Sequence, residues 1–257
     1  VTLVGGVVAF ALVILTALST AFVVRRYENA LAAVNDGLEH LVERRTRALT
    51  RTQSAVIFGL AKLADSRDED TGLHLQRIQA YVGVLCTHLG ALGVSEVRER
   101  ADLVIRTSAL HDIGKVGVPD TVLRKPAPLT EDERRVMQQH TLIGAECLRA
   151  IGAQLGDDDF LRTALEIAEG HHERWDGTGY PHRRHGADIP VAARIVALAD
   201  VYDALTSSRA YKTAWTHDRA TAEILRGNGS HFDPLVVTAF QRGIDEFHAI
   251  ATHGPGS

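Results

Sequence analysis

Two cysteines among 257 residues, Cys86 and Cys147, are too few and too isolated for a disulfide framework or a zinc ribbon, so buried, reduced thiols in a reducing compartment are expected. Positive charge is no more abundant. Lys and Arg number 28 against 32 Asp and Glu, a formal net charge of -4, which leaves no basic footprint for a DNA or RNA polymer. A small, doubly charged nucleotide stays compatible, because cations at one site decide that case. Internal repeats and low-complexity segments are absent, and apolar and polar residues nowhere alternate for long enough to build a sheet. Charge is missing altogether from residues 1–24.

That uncharged run is long enough to cross a ~30 Å hydrocarbon core as a helix, and it reads as a transmembrane segment. Arg25 and Arg26 follow at once, which by the positive-inside rule puts the downstream portion in the cytoplasm of a single-pass inner-membrane protein. A signal peptide is the competing reading, since Ser19-Thr20-Ala21 resembles a cleavage site. The basic leading region is missing, however, and the apolar run is too long. The chain starts at Val1 rather than methionine, so either an alternative start codon was read as valine or upstream sequence precedes it.

Residues 25–51 form a linker. Leu31, Val34, Leu38 and Leu41 recur at alternating steps of three and four, the seam of a coiled coil. Arg45 and Ala48 continue that register, while Leu49, Val56 and Leu63 restart it one position over, a stutter that alters the local supercoil. A parallel homodimer passing a signal from membrane to domain is expected, against a single amphipathic helix lying on the domain.

Downstream, apolar spacing predicts helices over residues 60–88, 97–111, 130–151, 160–171, 192–207, 219–226 and 234–249. Thr130-Glu131-Asp132-Glu133 reads as a capping box, and Asp233-Pro234 as a capping carboxylate before a first-turn proline. The stretches 115–129 and 176–190 are rich in glycine and proline and read as loops. The expected fold class is all-α, a helical bundle with loops over a central site, occupying residues 52–250 before a tail at 251–257.

Within this bundle His111-Asp112-Ile113-Gly114-Lys115 and the later His171-His172-Glu173-Arg174-Trp175-Asp176-Gly177-Thr178-Gly179-Tyr180-Pro181 concentrate metal-ligand chemistry. A neighbouring His-Asp pair offers a nitrogen donor and a carboxylate able to bridge two cations, and the imidazole-carboxylate mixture suits iron, manganese or zinc better than magnesium. One doublet alone is more often an ordinary helix feature. Here Asp70 and His74 stand one helical turn apart, His140 lies in a helical run, and Asp200 interrupts the apolar segment 197–205. A buried carboxylate without a partner is costly, and a metal accounts for it.

The chain resembles the HD-GYP domains, a subgroup of the HD phosphohydrolase superfamily. The likeness is carried by Arg67-Asp68-Glu69-Asp70-Thr71-Gly72-Leu73-His74, the segment 111–115, Lys125-Pro126, Leu129-Thr130, His140 and the segment 171–181. It continues through Ile189-Pro190, Ala193-Arg194-Ile195, the segment 200–207, Arg209, Tyr211-Lys212 and His231-Phe232-Asp233-Pro234. So many motifs in one order, over about residues 52 to 245, are specific. The resemblance implies an all-helical phosphodiesterase that hydrolyses the bacterial second messenger cyclic di-GMP first to linear pGpG, a product that members often carry on to GMP.

Position by position, the resemblance puts His74, His111, Asp112, His140, His171, His172 and Asp200 on the metals, with Asp112 bridging. Asp70 matches the acidic position that supports a third ion in some members, so two or three divalent cations, iron or manganese, are implied. Arg209, Lys212 and Lys115 match phosphate contacts, Tyr180 lies near the guanine-side wall, and Asp203 is the next acidic candidate, grouped with the substrate contacts from behind the ligands. Two departures stand out. His182-Arg183-Arg184-His185 replaces a Gly-Leu pair before Gly186 and puts the pocket rim in question, its histidines reading as surface residues; Ala127 replaces a loop glycine.

The chemistry follows from the residues as well. Attack on a phosphodiester needs a nucleophile at neutral pH, and metal binding lowers the pKa of water towards about 7, so no side-chain nucleophile is required. Lys115, Arg209 and Lys212 would neutralise the non-bridging oxygens, the planar guanidinium through paired hydrogen bonds and lysine as a point charge. Trp175 and Tyr180 offer aromatic faces for guanine, or equally serve to fix a glycine-rich turn. Two other readings stand beside this one: a related hydrolase of another nucleotide such as cyclic GMP-AMP, and a non-catalytic receptor for cyclic di-GMP or a partner protein.

Overall fold

The computed structural model describes residues 2–65, 73–156, 158–208 and 213–254. Helices account for the regular structure among the described residues, with one isolated β-bridge between Asn228 and Phe232. In chain order they are α1 (Thr2–Asp65), α2 (His74–Ala91), α3 (Ser95–Thr107), α4 (Asp120–Leu123), α5 (Glu131–Gln138), α6 (His140–Leu155), α7 (Asp159–Gly170), α8 (Val191–Thr206), α9 (His217–Arg226), α10 (Pro234–Arg242) and α11 (Ile244–His253). The fold is all-α. It divides into two compact units, Val1–Ser54 and Ala55–Ser257.

The first unit is a stretch of α1. It contains an 18-residue window of mean hydropathy 2.6, long and apolar enough to cross a membrane by length and composition. Leu31, Val34, Leu38 and Leu41 are exposed along it.

The second unit is built around α8. Ten of its residues are buried, on every side of the helix, as expected of a helix with scarcely a polar stripe to turn to water. Beside it, α2 buries Ile78, Tyr81, Val82, Leu85 and Leu89, the three- and four-residue spacing of one apolar face. Phe247 of α11 stacks on Tyr81 at 4.6 Å and meets Tyr202 of α8 edge-on at 5.0 Å. A second core joins Ala61 of α1 and Leu75 of α2 to Leu110, Leu148 of α6 and Phe160 and Ala164 of α7. Candidate ligands come from the start of α2, the end of α7 and the middle of α8.

Several expected helices differ in extent, each for a local reason. The 97–111 helix stops at Thr107, and two tight 3-10 turns, Ser108–Leu110 and Ile113–Gly117, follow. The 130–151 helix divides at Gln139, where the amide hydrogen bonds back three residues to Val136 and the His140 ring takes the Met137 carbonyl from the helical ladder. The 234–249 helix breaks at Gly243, where a β-carbon would lie 2.4 Å from Val84 of α2. The 115–129 loop contains the single turn α4. Residues 66–72, inside the expected 60–88 helix, lie outside the described residues. Both helix starts carry their expected caps: Thr130 and Glu133 make a reciprocal capping box, and Asp233 accepts from the Leu235 amide ahead of Pro234. Cys86 is buried, but Cys147 is exposed, which corrects the expectation that both thiols are buried; it lies on the outward face of α6.

Candidate metal centre

Five histidines reach the site, and four of them have one ring nitrogen already engaged. The Nδ1 of His111 faces the Ser108 carbonyl at 2.8 Å, that of His140 faces Met137 at 2.8 Å, and that of His171 faces Ile167 at 3.0 Å. His74 differs, its Nδ1 lying 2.8 Å from a carboxylate oxygen of Asp203. With Nδ1 as donor, each ring turns an Nε2 lone pair inward, the tautomer a metal ligand needs.

Asp112 stands where these rings converge. Its Oδ1 lies 3.3 Å from His140 Nε2 and 3.6 Å from His171 Nε2, while its Oδ2 lies 3.3 Å from His111 Nε2 and 2.9 Å from Lys115 Nζ. Each oxygen thus faces a separate set of donors. Asp112, His140, His171 and His172 form one cluster able to hold a cation, and His74, His111 and Asp112 form another. Asp200 adds an oxygen 3.9 Å from His111 Nε2; it is half-buried rather than sealed in the core.

The donor set fits divalent cations. The Nε2 atoms of His111, His140 and His171 and the Oδ1 of Asp112 are buried without a hydrogen-bond partner, and orphaned polar atoms of this kind cost free energy unless something binds them. Burial pushes the His140 imidazole down to about 4 and, with its neighbouring histidines, holds His172 well below the ordinary range, so both are neutral donors at pH 7. Burial would raise the Asp112 carboxyl, but Lys115 and then His111 outweigh it and hold it well below the usual range. Burial likewise opposes charge on His111, yet Asp112 and Asp200 bring it up to about 9. Two carboxylates beside one imidazole call for positive charge there.

Around the donors, the 171–181 segment folds back on itself. The Tyr180 amide donates to the His172 carbonyl at 3.2 Å and the two rings stack at 4.8 Å, which sets Tyr180 as a half-buried wall beside the cluster. Trp175 is tied down instead: its backbone bonds the His231 carbonyl and the Gly186 amide, and the Arg194 guanidinium sits 5.6 Å from its ring centroid. His182 and His185 are exposed. Asp203 is fully buried, both oxygens engaged by Arg77 and His74, which is the position behind the metal-ligand candidates expected of it. Asp70, Arg209 and Lys212 lie outside the described residues.

Three residues were given no individual role by the sequence reading. Glu173 is buried and accepts from the His182 and Arg184 amides at 2.7 and 3.0 Å, closing the loop that follows Tyr180. Arg77 and Ser207 surround Asp203. Arg77 had a signal, since it interrupts the apolar face of α2 as Asp200 interrupts that of α8.

Residues 59–236 match the HD domain family. The chain is 46% identical over 228 residues to a cyclic di-GMP phosphodiesterase of Vibrio cholerae, covering 88% of this chain and 46% of that protein. It is 42% identical over 216 residues to a cyclic di-GMP phosphodiesterase response regulator of Xanthomonas campestris, covering 84% and 51%. A 3'3'-cGAMP-specific phosphodiesterase of Vibrio cholerae is 41% identical over 207 residues, covering 80% and 38%. The chain spans about half the length of the curated relatives it matches. A crystal structure of a cyclic GMP-AMP-specific phosphodiesterase from Vibrio cholerae shares the fold with a TM-score of 0.50 at 21% identity, covering 76% of this chain and 50% of that one.

Proposed function

Because this chain belongs to the HD domain family, we propose that it is a membrane-anchored, metal-dependent phosphodiesterase that hydrolyses cyclic di-GMP to pGpG and onward to GMP. The observation that carries this reading is the division of Asp112, whose two oxygens face separate donor sets. His140, His171 and His172 would hold one cation, His74, His111 and Asp200 the other, and Asp112 would be shared. Asp70 is the candidate for a third. Imidazole and carboxylate donors favour iron or manganese over magnesium. Such cations supply water activation and charge neutralisation when bound.

The protein's own residues do the rest. Lys115, 2.9 Å from Asp112 Oδ2, is a point charge beside the cluster that would meet a phosphate oxygen there. Tyr180, stacked on His172, presents a flat face for a guanine. Arg209 and Lys212 are proposed as phosphate contacts on the sequence resemblance. Residues 1–24 would cross the inner membrane, residues 25–51 would pair two chains through the Leu31, Val34, Leu38 and Leu41 seam, and residues 52–250 would work in the cytoplasm.

Both kinds of cyclic dinucleotide hydrolase occur among the relatives, but the more similar ones are named for cyclic di-GMP. The test is to incubate the detergent-purified chain separately with cyclic di-GMP and 3'3'-cGAMP, resolve products by ion-exchange chromatography, and determine bound metal by mass spectrometry. Metal-dependent release of pGpG and GMP, faster from cyclic di-GMP, is expected. Preference for cyclic GMP-AMP would move the assignment to that substrate, and tight binding without turnover would make the protein a receptor.

A further inference from the structure

Among the four inward-facing histidines with an engaged Nδ1, three lean on backbone carbonyls, whereas His74 leans on a carboxylate that is itself gripped. Arg77 donates from Nε to Asp203 Oδ1 at 2.6 Å and from Nη2 to Asp203 Oδ2 at 2.9 Å, and the same Nη2 reaches Ser207 Oγ at 2.8 Å. Ser207 is 3.3 Å from Asp203 Oδ2. The Asp203 side chain is 1% exposed and that of Arg77 10%, so this is an ion pair withdrawn almost wholly from water.

We propose that Arg77 is a positioning residue for the metal centre: through Asp203 it fixes the ring of His74 and strengthens metal binding in the half of the site that His74 shares with His111. The inference rests on the metal-hydrolase reading above. Stability alone explains the arrangement poorly. α2 and α8 already share a large apolar core containing Ile78, Tyr81, Leu85, Ile195 and Tyr202, and a buried ion pair replaced by apolar residues of similar volume is often neutral or stabilising. The pair must also be desolvated, a cost that a carboxylate directed at a ligand histidine can justify: an anionic acceptor on Nδ1 locks the ring and makes Nε2 a stronger donor than a carbonyl does. Planarity matters here. A guanidinium engages both carboxylate oxygens at once and prevents Asp203 from rotating, which a lysine cannot do. The three backbone-held histidines have no such support, so the two halves of the site should differ in affinity and in their response to mutation.

The experiment uses the full chain in detergent micelles, freed of metal by chelation and titrated with Mn(II), with free Mn(II) followed by electron paramagnetic resonance and folding by circular dichroism. His74→Ala first identifies which affinity class belongs to its half of the site. Arg77→Met should weaken that class by roughly 10–100-fold, the usual effect of removing a partner behind a metal ligand, and leave the other class unchanged. Because Arg77 acts through His74, the double variant Arg77→Met/His74→Ala should bind no more weakly than His74→Ala alone. Should Arg77→Met lose its helical signal, Arg77→Lys, which keeps the charge without the fork, carries the same comparison with a smaller loss. Unchanged Mn(II) affinity, equal weakening of both classes, or additive losses in the double variant would overturn the proposal. A wild-type chain that binds neither Mn(II) nor Fe(II) would overturn the metal-hydrolase reading with it, whereas normal wild-type binding beside an unaffected arginine variant sinks the positioning role alone.

Discussion

Gly114 and His140 touch through their backbones: a β-carbon on Gly114 would stand 1.9 Å from the His140 carbonyl oxygen and 2.4 Å from the Gly144 amide nitrogen. The turn that follows Asp112 therefore rests directly on the first turn of α6, and this contact sets the 3.3 Å approach of Asp112 Oδ1 to His140 Nε2. Gly114→Ala must lift the turn off the helix. Overpacking of this kind costs about 1–3 kcal/mol, or about 2–12 °C in Tm for a domain this size. Metal on the His140 side should weaken at the same time. Calorimetry combined with metal analysis checks both, and a variant with unchanged metal content would show that Asp112 does not depend on this contact.

Asp112→Ala removes the carboxylate that both donor clusters share. Metal and turnover should fall together while the helical signal persists, because the Asp112 side chain lies among the ligands rather than within either apolar core. Near-wild-type hydrolysis with full metal content would contradict the proposed centre.

Arg209→Ala and Lys212→Ala should separate chemistry from metal binding. If these residues meet phosphate, each variant keeps its metal while turnover drops by ~10²–10³-fold, the usual loss for one charge-stabilising donor. Loss of metal from either one would place that residue among the ligands instead.

Acid should loosen the loop that carries Tyr180. Glu169 has a 7% exposed side chain, lies 3.3 Å from His182 and 3.2 Å from Arg184, and is also paired with Arg149 of α6. Burial would raise its carboxyl, but His182 and then Arg149 more than offset this and hold it below its ordinary 4.5. A depressed carboxylate stabilises the fold above its unfolded value and loses that contribution as pH falls through the folded one. The Tm gap between wild type and Glu169→Gln should shrink as pH falls below about 4.5; a gap that widens on acidification would refute the sign.

Helical phase should matter in the linker if Leu31, Val34, Leu38 and Leu41 join two chains. One residue inserted between Leu41 and Arg45 rotates the downstream helix by ~100°, whereas seven nearly restore the register. In membrane-embedded protein the single insertion should change turnover and the seven-residue insertion should not. Equal rates for both would leave the segment a passive tether.

Much of this protein is written locally. Periodicity located the helices, the Thr130 and Asp233 caps marked two starts within a residue, and adjacency in His111-Asp112 and His171-His172 exposed most of the donor chemistry, because these signals depend only on neighbours one helical turn apart or less. What needed the folded chain depends on distant partners. Arg77 and Asp203 are separated by 126 positions, and only the packing of α2 on α8 brings the guanidinium to the carboxylate and the carboxylate to the His74 ring. Likewise, the close approach of Gly243 to Val84 breaks a continuous apolar pattern into two helices. Cys86 and Cys147 are equally isolated in sequence, yet the orientation of α2 and α6 buries one and exposes the other. Helical propensity and ligand identity are short-range properties; the division of Asp112 between two donor sets is a matter of tertiary proximity, fixed where four elements converge.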